Sequence, residues 1–213
     1  MNLTDIGRQI GTAANAIPTI AYYFFGGVLL AVVVLLLLRV IVDALKLSPF
    51  GKFAYYATRP ANQMIGSMRN SRYFYPLKRA LSFDPAILMV FISTALICYV
   101  GFTLTNYLTM ILGGIANALI KFGNANVLSG GKFLIGTVLI AVIFFLLSLM
   151  LIVFVNSLFG LLPKLAHKAE FRIRPLLQLF EFGGIFAGWS FLILWIALSF
   201  AATAVQLIFL SEL

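Results

Sequence analysis

The chain has 213 residues, of which 62% are hydrophobic and only 10% are charged. This composition supplies too little polar surface to cover a water-soluble globule of that size, which argues against a soluble fold. The formal net charge of +9 does not indicate a nucleic-acid partner, because the cations lie in gaps between apolar runs. Four such runs reach the roughly 20 residues needed to cross a bilayer. We therefore predict an all-α membrane protein with four transmembrane helices.

The first half of the chain, residues 1–112, is predicted to form one unit. A weak apolar stripe before Pro18 indicates a short helix at the outer surface of the membrane, which the proline ends. The next elements are a transmembrane helix at 19–45, a basic cytoplasmic segment at 46–84 and a transmembrane helix at 85–108. Within the basic segment, apolar residues at helical spacing predict an interfacial helix that Pro60 stops.

The second half, residues 113–213, is predicted to repeat this order. The uncharged run from Pro85 to Ile120 is too long for one upright span, so we expect a break near Gly113. The elements are an outer interfacial helix at 113–122, a transmembrane helix at 133–158, a basic loop at 163–174 and a transmembrane helix at 176–210. Gly160 and Pro163 are expected to end the third transmembrane helix.

Similar letters recur in the two halves. The segment GTAANAI at 11–17 resembles GGIANAL at 113–119, and each stands before a span that is predicted to run inward. Because both units begin on the same side of the membrane, the repeat is predicted to be parallel. We expect two pseudo-equivalent transmembrane hairpins with short interfacial helices.

The distribution of basic residues predicts the orientation. The two predicted inner loops hold Lys46, Lys52, Arg59, Arg69, Arg72, Lys78, Arg79, Lys164, Lys168, Arg172 and Arg174, whereas Arg8, Lys121 and Lys132 lie on the other side. Short loops rich in Lys and Arg stay cytoplasmic, so both termini are expected on the non-cytoplasmic side. The same cations can bind anionic lipid head groups of the bilayer.

Several short motifs follow one another in a characteristic order. They are LLLLR ending at Arg39, SPFGKF at 48–53, Thr58-Arg59-Pro60, PLKR at 76–79 and FDPAI at 83–87, with RPLLQLF at 174–180 and GGI at 183–185 in the second half. This order resembles the YggT (YlmG) family of small integral membrane proteins, whose members often carry two copies of it. The sequence departs from the family pattern at Ser48, where Asn is usual, and at Phe186, where Asp is usual.

The resemblance implies a bacterial inner-membrane protein, or alternatively one of a plastid or thylakoid membrane. It implies a role in osmotic or ion tolerance, in cell division and nucleoid distribution, or in cytochrome assembly, and it implies no chemical reaction. Our first hypothesis is a YggT-like accessory or scaffold protein that binds a membrane-protein partner or anionic lipids. The alternative is a small channel or transporter component, which requires a homo-oligomer because the four helices carry few polar residues.

The candidate binding residues lie in the basic cytoplasmic segment. They are Phe50, Lys52, Phe53, Arg59, Arg69, Arg72, Lys78 and Arg79.

Three charged residues lie within or beside the predicted spans. Arg39 and Asp43 are four residues apart and share one helix face, where they serve either as a structural pair or in recognition of an ion or partner. Asp84 precedes Pro85 and is expected to cap the second transmembrane helix; a salt bridge to Arg39 or Arg79 is an alternative role in the same architecture.

The residue types that carry most enzymatic chemistry are scarce. His167 and Cys98 are the single residues of their kinds, and they belong to different levels of the membrane, so we predict no metal site. A haem ligated by His167 is a minor alternative to the prediction of no cofactor. We identify no nucleophile with a matching base and no phosphate-binding loop, so a non-enzymatic function is expected.

Overall fold

A computed structural model of the chain describes residues 2–45, 51–70, 74–80, 84–160, 162–179 and 190–211. Helices make up about 93% of this described part, which contains no strand. Four helices are long and apolar enough to cross a membrane. The predicted all-α membrane fold is confirmed, and the chain is a multi-pass membrane protein.

The described part of the chain contains seven α-helices and a terminal π-helix. They are α1 (Leu3–Ala44), α2 (Lys52–Arg69), α3 (Phe74–Ala80), α4 (Ala86–Gly123), α5 (Val127–Phe159), α6 (Pro163–Leu179) and α7 (Ser190–Val205), with the π-helix at Gln206–Leu210. The candidate spans are α1, α4, α5 and the segment Ile193–Leu210.

The spans pack in the order α1, α4, α5 and α7. Each helix contacts the next one in this order, and the π-helix also contacts α5. Neighbouring spans are antiparallel. Gly7, near the start of α1, lies against Ala116, near the end of α4, whereas Leu36, near the end of α1, shares a groove with Ile87, near the start of α4.

This arrangement gives the row of spans two distinct ends. We call one the basic end, formed by the carboxyl ends of α1 and α5 and the amino ends of α4 and α7. The helices α2 and α6 pack at this end. At the opposite end, Thr4 lies beside Gly123, and Leu210 lies beside Gly114.

The interfacial helix predicted before Pro18 is not a separate element. The structure has one continuous helix, α1, of 42 residues that passes through this proline. Ala14 and Ala21 are both buried, so packing on either side of the proline offsets its cost of about 3 kcal/mol. At about 1.5 Å per residue α1 is roughly 63 Å long, about twice the hydrocarbon thickness, so it must extend beyond the hydrocarbon or tilt strongly.

A second correction concerns the break expected near Gly113. α4 continues to Gly123, and the interfacial helix predicted at 113–122 is its last three turns. The neighbouring Gly114 is buried where α4 approaches α5, and a side chain there would meet Thr137. Gly114 thus permits a close contact between two helices, and the helix does not break at this glycine.

α5 starts earlier than predicted but ends where it was predicted to end. α5 begins at Val127, six residues before the predicted start at 133, because the side chain of Asn126 accepts a hydrogen bond from the Ser129 backbone N–H at 3.2 Å. It ends at Phe159 as expected. Gly160 follows with φ of 65°, the left-handed conformation that favours glycine at a helix end.

The connecting segments are more helical than predicted. α2 passes through Pro60, which was expected to stop it. The basic loop predicted at 163–174 is part of α6, which continues through Pro175 to Leu179. α7 is described from Ser190, so the single transmembrane helix predicted at 176–210 stays a prediction. Residues 180–189 lie outside the described part.

We expect Gly7→Ala to destabilise the protein. An added Cβ would lie 2.7 Å from the Ala116 carbonyl oxygen and 2.8 Å from Ile120 Cγ1, and such overpacking costs about 1–3 kcal/mol. Gly26→Ala is the matched control in the same helix, because no heavy atom lies within 4 Å of that Cβ. Melting temperatures in detergent should fall for the first variant only; equal values would contradict the close packing of α1 on α4.

Candidate functional site

The helix α2 buries one face against the chain's own spans. Its Ala61 and Met68 are both 0% exposed, and Ile65 is buried between them along the same face. These residues form a cluster with Leu36 of α1 and Leu158 of α5, together with the first turns of α4. The apolar face of α2 therefore contacts protein, and its other faces carry the polar and charged residues.

The helix α6 has the same design at the same end of the row. Ala166, Ala169 and Ile173 recur at helical spacing and are buried. Ala169 and Ile173 belong to a cluster that includes Met150 of α5 and Leu194 of α7. Both amphipathic helices are thus anchored by packing against the spans.

Exposed basic residues at the basic end form what we call the cationic platform. It consists of exposed basic residues of α2, α3 and α6: Lys52, Arg59, Arg69, Lys78, Arg79, Lys164, Lys168, Arg172 and Arg174. Five of the eight predicted binding residues therefore lie on this surface. Phe50 and Arg72 lie outside the described residues, as does Lys46, and Phe53 is described only by its place in α2.

Two of these cations lie over aromatic rings. The Arg59 guanidinium carbon is 5.8 Å from the centroid of the Tyr55 ring, and Lys78 Nζ is 5.7 Å from the centroid of the Phe74 ring. Cation–π contacts of this kind orient a long side chain at modest energetic gain. Arg59 and Lys78 therefore pack against neighbouring rings while their side chains remain exposed.

Arg39 and Asp43 form an ion pair, as their spacing predicts. Arg39 Nη1 donates a hydrogen bond to Asp43 Oδ1. The arginine side chain is 27% exposed and the aspartate side chain 56% exposed, so the pair sits at the rim of the basic end. Pairing is confirmed, whereas a role in ion or partner recognition stays a prediction.

Asp84 joins two elements of the basic end. Its Oδ1 accepts a hydrogen bond from the Ala86 backbone N–H at 3.0 Å, which caps the start of α4 as predicted. Its Oδ2 accepts a hydrogen bond from Arg69 at the end of α2. The expected salt bridge to Arg39 or Arg79 is therefore corrected to one with Arg69.

The surroundings of Asp84 stabilise its ionised form. The Ala86 N–H is the largest cause that holds the pKa of this carboxyl below its usual value of 3.8, and Arg69 and Lys78 lower it further against partial desolvation. The carboxylate is therefore charged at neutral pH, where it can both cap α4 and pair with α2.

Several polar residues of the spans bond within their own helices or to the residues that follow them. Thr103 and Thr105 donate to the carbonyls of Tyr99 and Gly101, both at 2.9 Å, and Thr137 donates to Phe133 at 2.8 Å. Asn156 Oδ1 accepts from the Leu162 backbone N–H at 3.2 Å, just after α5 ends. These groups are satisfied locally, which is the usual role of hydroxyl groups in apolar helices.

Within the described ranges, no group of three or more His, Cys, Asp or Glu side chains is arranged to hold a metal ion. His167 is exposed on α6, and Cys98 is buried in α4. Comparisons with protein-family models, with curated proteins and with solved structures found no match.

We predict a graded loss of stability when Asp84 is replaced. Asp84→Ala removes both the cap, worth about 1 kcal/mol, and the exposed pair with Arg69, worth about 0.2–1 kcal/mol. Asp84→Asn retains an oxygen that can accept from Ala86, so its melting temperature should lie between those of the alanine variant and the wild type. Unchanged expression and melting temperature of Asp84→Ala would contradict this role.

The effect should depend on pH with a definite sign. Because the folded-state pKa of Asp84 is lowered, its stabilisation is fully present above the usual value of 3.8 and is lost as pH falls through the folded-state pKa. The difference in melting temperature between the wild type and Asp84→Ala should shrink in that acidic range. A difference that grows on acidification would be inconsistent with a stabilising carboxylate.

Proposed function

We propose that this chain is a non-enzymatic accessory or scaffold protein, similar to the YggT family, that binds a membrane-protein partner through the cationic platform. The observation that supports this most is the shared design of α2 and α6. Both helices bury their apolar faces against the spans and leave their cations exposed at one end of the row. A fixed array of positive charge is suited to an acidic partner surface.

The burial of the apolar faces bears on what the platform binds. A helix that inserts into the head-group region buries its apolar face in lipid, whereas Ala61 and Met68 of α2 are covered by protein. The cations are therefore positioned by the fold rather than by the bilayer. Anionic lipid head groups, attracted by about 1 kcal/mol per cation, are the second class of ligand for the same surface.

The proposed orientation places the cationic platform in the cytoplasm. The basic residues are concentrated at the basic end, while the described residues at the opposite end include only Arg8, Lys121 and Lys132 as cations. An excess of Lys and Arg at one end of the spans is typical of the cytoplasmic side. Both termini then lie on the non-cytoplasmic side, in a bacterial inner membrane or alternatively in a plastid or thylakoid membrane.

An oligomeric channel or transporter component remains the alternative function and has less support. A permeation path needs polar groups that face it, whereas the hydroxyl groups of Thr103, Thr105 and Thr137 bond within their helices. Ion flux in vesicles reconstituted with the purified chain, compared with protein-free vesicles, separates the two proposals. Flux that depends on the chain would favour the channel.

The platform proposal predicts that neutralising two cations of α2 weakens partner binding. The double variant Lys52→Gln and Arg59→Gln removes exposed charge without touching the buried face of α2. Arg8→Gln with Lys132→Gln is the matched control, since it removes the same charge from the opposite end. The measurement is the yield of stoichiometric chains that co-purify with each tagged protein from native membranes.

We expect a co-purifying chain whose yield is similar for the wild type and the control and about tenfold lower for the platform variant. A tenfold loss corresponds to about 1.4 kcal/mol of binding free energy. Equal retention by the platform variant and the control would contradict the proposal. If no protein co-purifies and the variant instead loses bound anionic lipid, the lipid-binding form of the proposal is favoured.

A further inference from the structure

A lateral groove lies between α1 and α4 near the basic end, beside the platform residue Arg69. Its volume is about 480 Å³, within the roughly 300–1,000 Å³ typical of small-molecule sites. Its walls are formed by Leu36, Leu37 and Val40 of α1 and by Ile87, Leu88 and Phe91 of α4. Five of these six side chains are exposed, and only Leu36 is buried.

One charged residue lines this otherwise apolar groove. Asp84 stands at its mouth, one turn before Leu88 on α4. From Asp84 to Phe91 the groove follows α4 for about 10 Å. A ligand that fits must therefore have an apolar chain along the spans and a polar group at the membrane surface.

The Asp84–Arg69 pair gives the mouth of the groove two opposite charges side by side. The side chains are 44% and 54% exposed respectively, so both remain accessible. A carboxylate offers about four acceptor positions, and Asp84 uses one on Ala86 and one on Arg69. Arg69 carries five N–H donors, of which one Nη2 donor is directed to Asp84.

We propose that this groove is a specific site for a phospholipid with a primary-ammonium head group, phosphatidylethanolamine being the simplest. One acyl chain lies against Leu37, Leu88 and their neighbours. The ammonium donates hydrogen bonds to Asp84, and the phosphate accepts them from Arg69. The bound lipid then extends the ion pair into a network of four charges.

Charge complementarity distinguishes this head group from the common alternatives. A phosphatidylglycerol phosphate could reach Arg69, but it would lie beside the Asp84 carboxylate with no cation to offset the repulsion. A choline group carries the positive charge but has no N–H to donate to the carboxylate. The ammonium group satisfies both requirements, because it brings a charge and three donors.

This site shares Arg69 with the cationic platform, but the two proposals are tested by different variants. Lipid binding needs the Asp84–Arg69 pair, whereas the partner-binding test neutralises Lys52 and Arg59. The double variant Lys52→Gln and Arg59→Gln should therefore leave lipid selectivity unchanged. Failure of either proposal does not entail failure of the other.

The test is native mass spectrometry of the purified, delipidated chain. It is titrated with phosphatidylethanolamine, phosphatidylcholine and phosphatidylglycerol that share the same acyl chains. We expect one site that binds phosphatidylethanolamine about tenfold more tightly than either other lipid, the scale of one charge-assisted hydrogen bond. Asp84→Asn, which retains an acceptor for the Ala86 N–H, should reduce that preference to near equality.

A pair of groove variants provides the steric control. Leu88→Trp fills the groove and should abolish binding at this site, whereas Leu96→Trp, two turns away on α4 and equally exposed at 44%, should not. Equal affinity for the three lipids, a preference for phosphatidylglycerol, or full binding by Leu88→Trp would each overturn the proposal. A dimer mass that Leu88→Trp removes would also overturn it, because a second copy would then occupy the groove. If Leu88→Trp does not fold, Asp84→Asn decides the outcome.

Discussion

The antiparallel packing of α1 against α4 is the contact on which the rest of the architecture depends. Small residues permit it at the opposite end, where Gly7 of α1 meets Ala116 of α4, and larger apolar residues continue it toward the basic end. Water is absent from the hydrocarbon, so helices there are held together mainly by such close packing and by hydrogen bonds. The contact also explains why α1 stays helical through Pro18, since residues on both sides of the proline are buried.

This packing brings the start of α4 beside the carboxyl-terminal part of α1, and α2 docks where the two meet. Ala61, Ile65 and Met68 of α2 fill the space next to Leu36. At the end of α2, Arg69 donates a hydrogen bond to Asp84. The exposed cations Lys52 and Arg59 lie on the other side of α2. α6 packs on α5 and α7 in the same way and leaves its cations exposed. Two connecting segments thereby leave positive charge exposed at the basic end, which is the physical basis of the proposed scaffold function.

Features that depend on local spacing could be predicted from the sequence. The lengths of the apolar runs predict the spans, the four-residue spacing predicts the Arg39–Asp43 pair, and Asp84 caps the helix that starts two residues later. Features that depend on tertiary contacts could not be predicted from the sequence. Pro18 was expected to end a helix because its intrinsic cost is local, whereas the packing that offsets it comes from α4. Arg69 and Asp84 are 15 residues apart, so their pairing depends on where α2 docks.

We propose that α2 and α6 present their cations on one side of the membrane. Sided thiol labelling tests this arrangement, after Cys98→Ala removes the native thiol. Single cysteines are introduced at Gln63 in α2, at Gln178 in α6 and at Asn124 between α4 and α5, all of them exposed. We expect an impermeant reagent to label Gln63→Cys and Gln178→Cys only from the cytoplasmic face. It should label Asn124→Cys only from the other face. Labelling of Gln63→Cys and Gln178→Cys from opposite faces would contradict it.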